Sequence, residues 1–184
     1  MDDISALIAQ ITAAFEGVSR EGGISLRESE VLDWAGPAEA RALDMDTRWQ
    51  DVSDDDLKYY ASSMYFLDAI GLCYYLPAFM SYVLRHFRPD IDYDEDFVLM
   101  HTLWHLEVNQ YNHKRYAEMQ QSMTRPQKEA IGSFLQFIAT QGNEFYREDA
   151  ARALRDHWGQ FCDNPQDANA HNTPSQELAH DTHP

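Results

Sequence analysis

The sequence predicts an all-α protein: a compact single-domain bundle of about six to eight helices over residues 1–163, with a disordered polar tail over 164–184. Three observations predict it. Apolar residues recur at helical spacing through most of the chain, helix-start signatures precede several of those stretches, and no clean two-residue alternation marks a strand. A length of 184 residues suffices for a real core, and 44% apolar with 12% aromatic residues is the composition of a folded chain.

Ile4, Leu7, Ile8, Ile11 and Phe15 line one face of a first helix, which Gly22-Gly23 is expected to break. Ser25 with Glu28 forms a capping box that opens a second helix, ended by Gly36-Pro37; Pro37 then begins a short third one over 38–43. Residues 44–52 read as an ordered turn around Trp49. Ser53 followed by Asp54, Asp55 and Asp56 is a helix start: a cap, then three acids on the positive end of the dipole.

Residues 57–88 are the apolar heart of the chain, and Pro77 within them is read as restarting a helix. Arg85, His86 and Arg88 suit that helix's negative end, and Pro89 stops it. A further helical pattern runs from Phe97 to about Met119. Thr124, Pro126 and Gln127 open the next helix, and Gly142 separates it from a last one carrying Phe145 to Trp158. Beyond Asp163 the residues offer too little apolar area to offset the entropy of ordering.

The net charge is −17, from 31 acids against 14 Lys and Arg. It is uneven: residues 1–60 hold fourteen acids and five bases, and 90–107 hold six acids and no base. Such a field repels nucleic acid and anionic membrane, and attracts a basic protein. Met-Asp-Asp-Ile lacks the features of a signal peptide, no run approaches a membrane span, and Cys73 and Cys162 fit two reduced thiols. A cytoplasmic protein is expected.

His101 and His105 are the metal candidates, because a four-residue step on a helix puts both rings on one face. Thr102 stands where a zinc protease needs Glu, and no third ligand is marked, so half-buried packing is the stronger expectation. Asp90, Asp92, Asp94, Glu95 and Asp96 resemble the opening of a calcium loop, but its sixth position is Glu95 and its twelfth is His101. No phosphate loop, dinucleotide fingerprint or serine-hydrolase elbow is present, and no cofactor is expected.

The segments Ile24–Asp33, Asp44–Val52 and Phe66–Met80 together resemble a family of small bacterial proteins of unknown function. The resemblance covers about residues 20–160 and is strongest in the first half. It implies a compact helical domain and a bacterial source, and it carries over no catalytic residues.

The expected function is therefore binding, not catalysis: an acidic, immunity-type antagonist of a basic toxin or secreted effector. Its expected contacts are Asp51, Asp54, Asp55 and Asp56 together with Asp90, Asp92, Asp94, Glu95 and Asp96. The alternatives are a self-associating adaptor and, behind it, a metal-dependent enzyme using His101 and His105. Truncation after Asp163 is expected to leave helicity and thermal melting nearly unchanged; a cooperative loss of structure would show that residues 164–184 dock on the domain.

Overall fold

The most apolar stretch of the chain becomes the helix around which the others pack. The computed structural model describes residues 3–33, 46–90, 96–109 and 111–162. These form eight α-helices and three 3-10 segments, with no strand among the described residues. The fourth helix, α4 (Ala69–Arg85), is buried from Gly71 to Leu84 except at Cys73. A helix that is apolar all round has to be covered on every side. α1 (Asp3–Ala14), α3 (Asp54–Tyr59), α5 (Phe97–Leu106), α6 (His113–Ser122) and the 3-10 segment Trp49–Asp51 cover it. α7 (Arg125–Gln141) and α8 (Glu144–Asp156) pair with each other, and α7 also packs on α1.

The local signatures form as read. Glu28 N–H donates to Ser25 Oγ and Ser25 N–H to Glu28 Oε2, so α2 (Leu26–Asp33) starts with the capping box. Ser53 caps α3, Thr124 N–H donates to Gln127 Oε1 at the start of α7, and Asn143 caps α8. Trp49 is core, its Nε1–H donating to the Phe15 carbonyl at 3.0 Å. The short helix over 38–43, the stop at Gly36-Pro37 and the tail lie outside the described residues.

Three boundaries differ from the sequence reading. α1 ends at Ala14, before Gly22-Gly23, with Gly17 at φ 71° in the turn that follows. Pro77 starts no helix: α4 runs through it, and burial on all sides holds the helix although Pro77 gives the Cys73 carbonyl no donor. The pattern over 97–119 is two helices, not one. Asn109 Oδ1 accepts from the N–H groups of Tyr111 and Asn112, Asn112 Oδ1 accepts from Asn109 N–H, and Asn112 Nδ2 donates to the Glu107 carbonyl. Side chains that bond the backbone in this way replace the helical ladder by a turn. Trp158 Nε1–H donates to the carbonyl of Leu106, the last residue of α5, at 2.8 Å.

The start of α4 is tied to the strand of chain before α2. Asp68 Oδ1 accepts from Gly71 N–H at 2.8 Å and from Ile24 N–H at 3.0 Å. The approach is close enough that a Cβ on Gly71 would lie 2.3 Å from the Ile24 carbonyl oxygen. Gly71→Ala in a helix ordinarily stabilises by about 0.5–1 kcal/mol; against this backbone it is expected to destabilise by about 2 kcal/mol in urea unfolding. Unchanged or raised stability would show that the two segments do not meet so closely.

Candidate functional site

The nominated carboxylates fall into distinct environments. Asp54 accepts from Arg85 Nη2 at 2.5 Å and lies 2.8 Å from His86 Nε2. Burial acts to raise its pKa, but the hydrogen bonds and charges of His86 and Arg85 bring it below the ordinary carboxylate value. Asp56 accepts from Ser53 Oγ at 2.8 Å and pairs with Arg27 at 3.4 Å. Asp51 lies 3.8 Å from Arg48, and Asp55 lies 3.8 Å from Lys58 with its side chain 98% exposed. Asp90 is exposed beyond α4.

Asp92, Asp94 and Glu95 lie outside the described residues. Asp96 caps α5, its Oδ1 accepting from Leu99 N–H at 2.9 Å. Burial raises its pKa against that bond.

α2 and α3 present one continuous acidic face. Arg27 bridges to Asp56, and Tyr59 Oη donates to Glu30 Oε1 at 3.2 Å. Tyr59 is 67% exposed. An exposed aromatic thus stands beside Glu30 and one helical turn from Asp55 and Asp56.

The second site is a cleft of about 470 Å³ between the 3-10 segment Ser62–Phe66, α5 and the start of α6. His101 and His105 lie on one face of α5, as their spacing predicts, and both reach it. Tyr65, Trp104 and Tyr111 form its exposed aromatic rim. At its floor, Arg115 Nη1 donates to the carbonyls of Met64, Tyr65 and Leu67 at 3.1, 2.6 and 3.0 Å. Arg115 Nη2 donates to His105 Nδ1 at 3.0 Å. A guanidinium only donates, so His105 Nδ1 accepts and the neutral ring carries its proton on Nε2.

Burial, then the nearby charge of Arg115 and His101, depresses the His105 pKa to about 3. Burial lowers that of His101 as well; this residue is 8% exposed, and its Nε2 has no hydrogen-bond partner among the described residues. Neutral imidazoles can bind metal, but a guanidinium 3.0 Å from His105 repels a cation. Among the described residues, no three His, Cys, Asp or Glu side chains are grouped as metal ligands.

Sequence reasoning found the two histidines and missed Arg115 and Tyr111. The signal was the Asn109/Asn112 pair, which breaks the helix and swings α6 round to bring Arg115 under the cleft. Cys73 and Cys162 form no disulfide, and burial raises the Cys73 pKa, which disfavours the reactive thiolate.

The model of a family of unknown function (DUF6714) matches residues 3–162. The chain belongs to this family. No curated protein and no solved structure matches it. No helix of the described residues is long and apolar enough to cross a membrane.

The buried histidines contribute to the acid response of this family member. An unfolded His titrates near 6.5, above the folded His105 value, so the unfolded chain binds more protons between the two. The stabilisation is full above about 6.5 and is lost as the pH falls toward the folded value. His105 alone is expected to remove about 2 kcal/mol between about pH 6.5 and 5. His105→Asn, which keeps an acceptor for Arg115, should flatten the slope in denaturant titrations; an unchanged slope would place the titration elsewhere.

Proposed function

We propose that this protein works by binding a basic protein partner stoichiometrically, as an immunity-type antagonist of a basic toxin or secreted effector, in the cytoplasm. The observation that carries the reading is Tyr59: a large aromatic, 67% exposed, beside the Glu30 carboxylate and one helical turn from Asp55 and Asp56. Exposed tyrosines inside a charged border are the usual energetic centres of protein interfaces. The net charge of −17 supplies long-range attraction to a basic surface and repels nucleic acid and anionic lipid.

Catalysis is less well supported. His105, with a pKa of about 3, is too weak a base for proton transfer near neutrality, and its Nδ1 is committed to Arg115. Exposed Tyr59 and Leu32 also suit a second copy of the chain, which is the adaptor reading.

A photo-crosslinking residue at position 59 would capture the partner, and kinetics on the purified pair would then decide. Asp51→Asn with Asp55→Asn should slow association severalfold while costing no more than about 1 kcal/mol of stability, the lost dipole interaction of Asp55 at the start of α3. Raised salt should slow association likewise. Tyr59→Ala should weaken binding by about 2 kcal/mol, mostly through faster dissociation. An on-rate indifferent to salt and to both asparagines would overturn the electrostatic reading. A concentration-dependent dimer abolished by Tyr59→Ala would favour the adaptor.

A further inference from the structure

The cleft holds a half-buried positive charge whose bonds all go to neutral groups. Arg115 is bonded to three backbone carbonyls and to the neutral His105 ring. Glu107, the carboxylate on the cleft wall, is taken by Arg152, which also bonds Asp149 at 2.6 Å. No carboxylate of the described residues pairs with Arg115, in a chain where acids exceed bases more than two to one. A partly desolvated cation without a counter-ion is costly unless something supplies the charge.

Two donors are open. A guanidinium has five N–H bonds. Nη1 serves the carbonyls and one Nη2–H serves His105, so Nε–H and the second Nη2–H have no acceptor among the described residues. The side-on fork of a guanidinium, Nε–H with one Nη–H, matches the two oxygens of a carboxylate. The same cleft is lined by Trp104, Tyr111 and Tyr65, 48%, 78% and 57% exposed. His101 and Asn109 add polar atoms to the wall, the His101 Nε2 being buried without a partner among the described residues.

We propose that this cleft binds a small organic monoanion, a carboxylate carrying an aromatic body, with Arg115 holding the carboxylate and Trp104, Tyr65 and Tyr111 flanking the ring. One guanidinium neutralises one charge, and the two histidines beside it are neutral, so a phosphate dianion lacks the second cation it needs. The volume of about 470 Å³ suits a ligand of one or two rings. The site is separate from the α2–α3 face and stands whether or not a basic partner docks there.

Calorimetry on the full chain with 3-phenylpropionate, its neutral amide, benzylphosphonate and a tetrapeptide ending in phenylalanine tests this. The acid should bind one per chain with a Kd of about 1 mM or tighter, and the amide at least about tenfold more weakly. Arg115→Lys keeps the charge but loses the paired donors, and should weaken the acid about tenfold while leaving the amide unchanged. Should that variant fail to fold, Trp104→Ala, an exposed change, should weaken acid and amide alike. Equal binding of acid and amide, no binding of the acid, or indifference to Trp104→Ala would overturn the proposal. Tighter binding of the phosphonate would overturn the monoanion assignment, and tighter binding of the peptide would move the site to a protein C-terminus.

Discussion

The rest of the structure depends on the burial of α4. A helix with Tyr74, Tyr75, Leu76, Phe79, Met80, Val83 and Leu84 distributed around its circumference has no face it can leave to water. Each such side chain is stabilised by about 1.5–3 kcal/mol when fully covered, so the covering elements are driven onto it from all directions. The same enclosure explains why Pro77 sits inside the helix without ending it. It also explains Asp68, whose carboxylate satisfies the free N–H of Gly71 while holding Ile24 against the helix start. Cap and tertiary contact share one oxygen, and a glycine is required where the two backbones touch.

The cleft follows from a second constraint, the end of α5. Trp158 takes the Leu106 carbonyl, and the two asparagines supply the next turn with side-chain partners in place of helical ones. The chain reverses, α6 packs on α4, and Arg115 comes under the carbonyls that end the Ser62–Phe66 segment. The guanidinium supplies a donor to the Tyr65 and Leu67 carbonyls and a second one to that of Met64, which already accepts the Leu67 N–H. A structural requirement thereby places a cation beside two histidines and beneath an aromatic rim, and only part of its hydrogen-bonding capacity is consumed.

Charge in this protein has a local and a global role. Asp54, Asp56, Glu107 and Asp149 are each engaged by an arginine that lies elsewhere in the sequence or one turn away. Pairs of this kind at exposed positions add little to stability. Their effect is to orient side chains, while residues such as Asp55 remain open to solvent and sustain the field. A protein can therefore be strongly acidic in sum and still present a cationic floor in one cleft.

What the sequence determined by itself was whatever depends on neighbours within one helical turn. The all-α class, the caps at Ser25, Ser53 and Thr124, the turn at Trp49 and the shared face of His101 and His105 all follow from spacings of three or four residues. The role of Asp96 as a cap was within reach of the same rule, yet its acidic neighbours drew it into a docking surface instead. Tertiary structure alone decided the passage through Pro77, the division of 97–119 and the clamp from Asp68 to Ile24, 44 residues away. It alone placed Arg115 beside His105 and beneath Tyr65, because an ion's partners are set by where the chain returns, and that path is fixed by covering α4.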